Sequence, residues 1–473
     1  MTIARFAPSP TGHLHLGGLR TALYNYLHTK AKGGKFLLRI EDTDASRNSK
    51  EALEGILGAF SWVGIEYENP PLYQSQRLEI YQSYAKQLLD SKKAYPCYLS
   101  SEELQEFRAK RDGKQTSITR RYRDYTGEPI HNTPCLRIKA PLDGTIDFID
   151  GVKGRLSFAA SEVDDFVILR GDGSPTYNFV VAIDDALSGI SEVIRGDDHI
   201  SNTPKQLVVY NALGFKPPKF FHIPMICNEK GQKLSKRDGA LSVLEYREAG
   251  VLPEALLNFL FRLGYSHGDK EIFSMAEMLS VFVAEKIHSS PSACNFSKLY
   301  WLNAEYIRAM DDDSLGSLLD MPALNALKLD SKARHSRLLA EVKMRVNNLV
   351  DFRAEVSQVL NRPAVDGTPG LVASYDKAAY EKLLMSDKKE VFLSGIKNLI
   401  SKLSKASGLD ASGFKELLQE VGGALGIKPG QFMQVARLGL LGKMGGIDLG
   451  SCIFILGIDE AIARLGMLDS LKL

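Results

Sequence analysis

A short apolar run, Thr2–Ala7, stops at Pro8 and Pro10, and a glycine-bearing turn and an amphipathic stretch follow it. In that stretch Leu19, Ala22, Leu23, Tyr26 and Leu27 recur at i, i+3, i+4, i+7 and i+8, the spacing of one helical face. Phe36–Ile40 is again short and apolar, and Glu41, Asp42 and Asp44 come directly after it. Strand, turn, helix, strand is the opening of a parallel α/β sheet of the nucleotide-binding kind. Such sheets take ligands beyond their carboxyl ends, which is where the acidic residues fall.

At 473 residues the chain exceeds one ordinary core, so several domains are expected. The α/β reading covers 1–94, breaks over 95–175 and resumes over 176–240. The break reads as an α+β insertion. It has a helix over Ser101–Lys110, a basic polar stretch over Lys110–Arg123, and strand-like runs at Cys135–Lys139, Thr145–Ile149 and Asp165–Leu169. The α/β pattern returns at Thr176–Ile183, and Val193–Arg195 reads as another buried strand, ending in Gly196-Asp197-Asp198-His199. From Leu252 nearly everything has helical spacing. Pro253 suits a first turn, and Leu256, Phe259, Leu260 and Leu263 share a face. This half divides into 241–310 and 311–473, with Pro-Gly punctuation at Pro363–Gly370 marking a further split. The predicted class is a Rossmann-type parallel-sheet α/β domain with an α+β insertion, followed by an all-α C-terminal half.

Composition narrows the setting. With 44% apolar and 25% charged residues the chain is a soluble globular type, and a net charge of +2 neither demands nor excludes a polyanionic partner. Five scattered cysteines without a CxxC pair indicate a reducing compartment. No run is long enough to cross a bilayer, and Met1–Phe6 lacks a signal-peptide layout, so a cytoplasmic location is expected.

Two segments carry chemistry. In Pro8–Leu19, glycines at a strand-to-helix turn let backbone N–H groups approach phosphate oxygens, and His15 can donate to an anionic oxygen. Alone, this could equally be an ordinary tight turn. Gly231–Gly239 places Lys233, Lys236 and Arg237 within five residues, a loop able to close on developing phosphate charge. Alone, it reads better as a solvated basic loop. Because one segment opens the α/β domain and the other follows its return, the two together indicate a split phosphate site.

At these residues the sequence resembles the class I aminoacyl-tRNA synthetases. His15-Leu16-Gly17-Gly18 matches their first signature, with Gly18 where many members carry a second histidine. Lys233-Leu234-Ser235-Lys236-Arg237 matches the second, with Arg237 where Ser is common. Both departures are similar to the glutamyl and glutaminyl branch. Arg5–Gly12, Arg39–Asp44, Tyr177-Asn178 and Arg195–His199 resemble the two walls of a glutamate pocket. The chemistry agrees, since glutamate carries two carboxylates and one ammonium. Arg5 and Arg195 offer planar donors to carboxylates, Glu41 can take the ammonium, and Ser9 and Tyr177 can complete the hydrogen bonding.

The resemblance implies more. It gives His15, Lys233 and Lys236 catalytic roles, and gathers Ala7, Gly17, Asp198, Leu234 and Lys236 around ATP, with Mg²⁺ accompanying the nucleotide. It sets Asp44 and Arg345 against tRNA, makes 95–175 acceptor-binding and 241–310 stem-contacting, and makes 311–473 anticodon-binding. The implied partners are tRNA, L-glutamate and ATP, without DNA or membrane, and the implied state is monomeric. Whether the acceptor is the tRNA for glutamate, for glutamine, or both stays open.

Some relatives hold zinc in the insertion through Cys-x-Cys followed by Cys-x-His. Leu99 stands two places after Cys97, and the second pair reads Tyr122-Arg123-Asp124, so no structural zinc is expected. Rival readings fit less well. A truncated relative that glutamylates a modified tRNA base lacks the helical region after Met310. A non-tRNA nucleotidyltransferase has no use for that region or for the Arg5, Glu41 and Arg195 set. A silent RNA-binding paralogue has no need of His15, Lys233 and Lys236.

Overall fold

β1 (Ile3–Phe6), α1 (Leu16–Ala31) and β2 (Lys35–Ile40) form the predicted parallel unit, with Ala4 opposite Phe36 and Phe6 opposite Leu38. The computed structural model describes residues 1–44, 47–68, 70–100, 102–103, 118–131, 133–232, 234, 241–363 and 375–471. It divides into two units, Met1–Arg247 with Pro253–Lys298, and Glu248–Leu252 with Leu299–Leu473.

In the first unit, β3 (Leu72–Tyr73) extends the sheet beyond β2. On the other side of β1 lies β9 (Glu192–Gly196), start beside start. The Ser191 N–H donates to the Ile3 carbonyl at 2.9 Å, and Ser191 Oγ accepts from the Ile3 N–H at 3.0 Å. β9 pairs in parallel with β10 (Lys219–Ile223), and β10 with β6 (Thr145–Asp150). Strands therefore run outward in both directions from β1 and β9. The crevice at their carboxyl ends is the switch point where open α/β sheets bind ligands.

The insertion is less separate than its pattern suggests. Its hairpin, β6 with β7 (Gly154–Ala159), belongs to the main sheet beside β10. Only β4 (Ala94–Cys97), β5 (Cys135–Ile138) and β8 (Val167–Leu169) form a sheet of their own. That small sheet also shares a core with the rest. Tyr81 and Leu88 of α3 (Leu78–Asp90) pack in one buried cluster with Ile138, Ile168, Val193 and with Phe179 of α4 (Tyr177–Leu187). A period-2 pattern reveals a strand but not its partner, so sequence could not assign β6 to β10. Apart from Glu102 and Glu103, which are helical, the helix expected over Ser101–Lys110 and most of the basic stretch after it lie outside the described residues.

Every regular element described in the second unit is helical, from Leu299 in the helix Phe296–Ala309 to Ile458–Gly466. Asp311, Ser331, Asn348, Asp376, Asp410 and Asp448 each cap a helix by accepting a first-turn N–H, a contact worth about 1 kcal/mol apiece. Arg464, fully buried, serves two helix ends at once. Its Nη1 donates to the carbonyls of Val359 and Leu440, and its Nη2 to that of Leu360, supplying positive charge where carbonyls are left without helical partners. Gly450 lets Leu449–Leu456 approach Ala411–Gly423, since a Cβ there would come within 2.2 Å of the Ala411 carbonyl oxygen. Gly450→Ala is expected to lower stability by about 1–3 kcal/mol, read as an earlier urea midpoint. No helix among the described residues is long and apolar enough to cross a membrane.

Candidate active site

At the carboxyl ends of β1 and β2 two cations and two anions are buried together. Arg5 Nε and Nη2 donate to the two carboxylate oxygens of Asp185 on α4, at 2.9 and 3.1 Å. Arg39 donates through Nη1 to Asp185 and through Nη2 to Glu41 Oε1, the latter at 3.0 Å. Burial alone would favour the neutral acid at Asp185, but Arg39 and Arg5 outweigh it and hold the carboxyl at about 2. Glu41 is displaced the other way, upward, because its burial exceeds what Arg39 and Arg5 return. A buried, under-compensated acid is suited to receive a further cation. Arg5 Nη1 enters neither of the bonds to Asp185.

The opposite wall comes from α4 and β9. Tyr177, at the first turn of α4, lies in the field of Glu41, Arg195, Arg5 and Arg39, and its phenol is pushed up mainly by burial. Its hydroxyl meets His199 Nδ1 at 3.1 Å. His199 is lowered to about 4 by burial and then by the Arg195 charge, so its imidazole is neutral at pH 7. Arg195, 6% exposed, donates to Gln206 Oε1 at 2.9 Å and to Thr203 Oγ1 at 2.8 Å, and it lies over the Phe220 ring. The fold thus brings Arg5, Glu41, Tyr177 and Arg195 to one crevice. Ser9 sits exposed on the turn after half-buried Ala7, and the Pro8 carbonyl in that turn accepts the Glu41 N–H at 3.0 Å.

Next to this crevice stands the start of α1. His15 is its N-cap, and His15 Nδ1 accepts the Gly18 N–H at 3.1 Å. The neutral ring therefore carries its proton on Nε2, which is the atom able to donate to an anion. A Cβ on Gly17 would press on the His15 ring at 3.2 Å, so the glycine leaves room for that cap. The described residues that follow the lysine-bearing segment lie beside this helix start. The Leu234 N–H donates to the Ile226 carbonyl at 3.2 Å, Ser242 bridges His15 in antiparallel fashion, and the Val243 N–H donates to the Leu14 carbonyl at 2.9 Å. Lys233, Lys236 and Arg237 themselves lie outside the described residues. Asp198 is half-exposed on the short 3₁₀ turn after β9, and a Cβ on Gly196 would meet its Oδ1 at 2.4 Å.

Residues 2–301 match the family described as tRNA synthetases class I (E and Q), catalytic domain, and residues 304–468 match an anticodon-binding domain. The chain belongs to this class I synthetase family. It is 50% identical over 467 residues to glutamate–tRNA ligase 1 of Helicobacter hepaticus, covering 98% of this chain and 97% of that one. It is also 50% identical over 470 residues to glutamate–tRNA ligase 1 of Sulfurimonas denitrificans, covering 98% of each. A crystal structure of a glutamate tRNA ligase from Elizabethkingia meningosepticum in complex with its amino acid superposes with a TM-score of 0.84 at 31% identity, covering 100% of both chains.

At the insertion of this synthetase, Cys97 lies across from Cys135, and its Sγ accepts from Arg137 Nε at 3.3 Å. Arg123, the middle residue of Tyr122-Arg123-Asp124, donates through Nη1 to the buried carboxylate of Asp165 at 2.6 and 2.7 Å. Among the described residues no group of three His, Cys, Asp or Glu side chains could hold a metal. Asp44 is exposed, with its carbonyl accepting the Arg47 N–H at 3.1 Å. Arg345, in the second unit, sits between Lys332–Lys343 and Leu349–Leu360, 3.8 Å from Glu355.

Sequence reasoning reached Arg39 and His199 only as the ends of matching stretches, without a role, and did not single out Asp185, Thr203, Gln206 or His222. One signal was available: Asp184-Asp185 interrupts the otherwise apolar Phe179–Leu187, and buried carboxylates require cations.

Proposed function

We propose that this chain is a glutamate–tRNA ligase that works through the crevice between β1 and β9. The observation that carries the reading is the convergence there of Arg5, Glu41, Tyr177 and Arg195, next to the His15 cap of α1. In the first step the glutamate α-carboxylate attacks the α-phosphorus of MgATP, giving glutamyl-adenylate and pyrophosphate. A ribose hydroxyl of the terminal adenosine of tRNA then attacks the activated carbonyl and releases AMP. The first step needs little proton transfer, so positioning and charge stabilisation dominate. Arg5 and Arg195 receive carboxylates, Glu41 receives the ammonium, and Ser9 and Tyr177 complete the pocket. His15, Lys233 and Lys236 serve the triphosphate, with Ala7, Gly17, Asp198 and Leu234 around the nucleotide. Residues 95–175 meet the acceptor end, 241–310 the stem and 311–473 the anticodon, with Asp44 and Arg345 among the tRNA contacts. The enzyme acts as a cytoplasmic monomer, with no DNA or membrane partner.

Charging purified tRNA-Glu and tRNA-Gln side by side tests the reading. Glutamylation of tRNA-Glu is expected, and failure to charge either tRNA would overturn it. Within the pocket, Glu41→Gln is expected to raise KM for glutamate by on the order of tenfold, because a neutral amide meets the ammonium without a charge. KM for ATP should stay near wild type in the same assay.

A further inference from the structure

Arg5 and Arg39 are matched by Asp185 and Glu41, but Arg195 is treated differently. The three side chains bonded to its guanidinium are all neutral: Gln206, Thr203 and His222, the last accepting from Arg195 Nε at 3.1 Å. A carboxylate is present but held one ring away. His222 Nδ1 meets Asp150 Oδ2 at 2.7 Å, and Asp150 also accepts the backbone N–H groups of Val152 at 3.0 Å, Lys153 at 2.9 Å and His222 at 3.2 Å. The three residues lie on neighbouring strands β6, β10 and β9, with His222 paired in register to Arg195. All three are buried, and His222 is fully so.

The geometry fixes the imidazole. A guanidinium only donates, so His222 Nε2 must be the acceptor and Nδ1 must carry the proton given to Asp150. A carboxylate directly on Arg195 would orient the guanidinium but also neutralise it. A neutral imidazole orients it and leaves its charge for an incoming anion.

We propose that Asp150 and His222 are positioning residues for Arg195, holding an un-neutralised guanidinium ready for a substrate carboxylate. This rests on the reading of the crevice as the glutamate pocket. Neither residue touches substrate; both act through Arg195.

Asp150→Asn tests it with little change of shape. The amide can keep its oxygen on the backbone N–H groups and offer its NH₂ to Nδ1. That drives His222 to the Nε2–H form, in which two donors face each other at Arg195. The expected result in tRNA charging is a rise in glutamate KM on the order of tenfold, with KM for ATP and for tRNA within about twofold of wild type. Long-range ¹H–¹⁵N spectra of histidine-labelled protein, which has nine histidines, should show one ring changing from the Nδ1–H to the Nε2–H tautomer. His222→Gln retains an acceptor toward Arg195 and should stay closer to wild type in glutamate KM than His222→Phe. That comparison decides the matter if Asp150→Asn folds poorly. Arg195→Gln separates the two claims. An unchanged glutamate KM there overturns the pocket reading. A raised KM there, with wild-type glutamate KM in Asp150→Asn or with His222→Gln no better than His222→Phe, overturns the positioning proposal alone.

Discussion

Lys236→Ala is expected to slow ATP–pyrophosphate exchange, measured with tRNA and glutamate present, by on the order of 10²–10³-fold. The reason lies in what the activation step asks of the protein. Attack of the α-carboxylate on the α-phosphorus sends negative charge onto the departing pyrophosphate, and no side chain need move a proton for that to happen. A fixed donor or cation at the leaving group is then worth roughly 2.7–4 kcal/mol of barrier. At the described end of this site, His15 Nε2 and the first turn of α1 supply one half of such a cradle. The segment carrying Lys236 is tied to that half through Ser242 and Val243 after it, while Leu234 is held by the Ile226 carbonyl. Charge, not bulk, should matter, so Lys236→Met should be as slow as Lys236→Ala and Lys236→Arg less so. Exchange within about threefold of wild type in Lys236→Ala would refute the assignment, since a transition-state contact cannot be lost at so small a cost.

The parts of this site that could be read in advance are those set by local pattern. The strand–turn–helix of residues 3–31 announces itself by apolar spacing and glycines, and it positions His15 without help from distant residues. Arg5, Glu41, Tyr177 and Arg195 were legible as charges and polar groups at the ends of α/β elements. Their supports were not. Asp185, Asp150, His222 and Gln206 are chosen by contacts between elements far apart in the chain, such as Arg5 with Asp185 and β6 with β10. No periodicity encodes such a pairing. The same limit hid the placement of the Thr145–Ala159 hairpin, whose alternation is plain while its neighbour in the sheet is not. Helix caps such as Asp311 and Asn348 lie at the other extreme, because a cap is satisfied within three residues of itself.

The largest effect on stability is expected from Asp185→Asn, a loss of about 3–5 kcal/mol in urea unfolding. Asp185 is 2% exposed and joins two guanidiniums that are themselves 4% and 3% exposed, so removing its charge leaves two buried cations under-compensated. Glu41 alone cannot compensate both, and its own bond runs to Arg39 only. Acid titration supplies an independent check. The folded-state pKa of Asp185 is depressed to about 2 by Arg39 and Arg5, below its ordinary value of 3.8. Between those values the unfolded chain binds the proton and the folded chain does not, so stability rises with pH across that window. The Asp185 contribution is therefore complete above about pH 4 and lost as pH falls toward 2. Asp185→Asn should flatten the acid limb of the stability curve as well as lower its plateau. A variant with the wild-type plateau would mean that Arg5 and Arg39 are held by packing rather than charge. A lowered plateau with an unchanged acid limb would place the acid sensitivity on other carboxylates, of which Glu192, lowered to about 2 by His28, is the first to examine. Because Arg5 is one of the two arginines of the pocket, the same substitution should also raise glutamate KM, coupling the support of the fold to the recognition of the substrate.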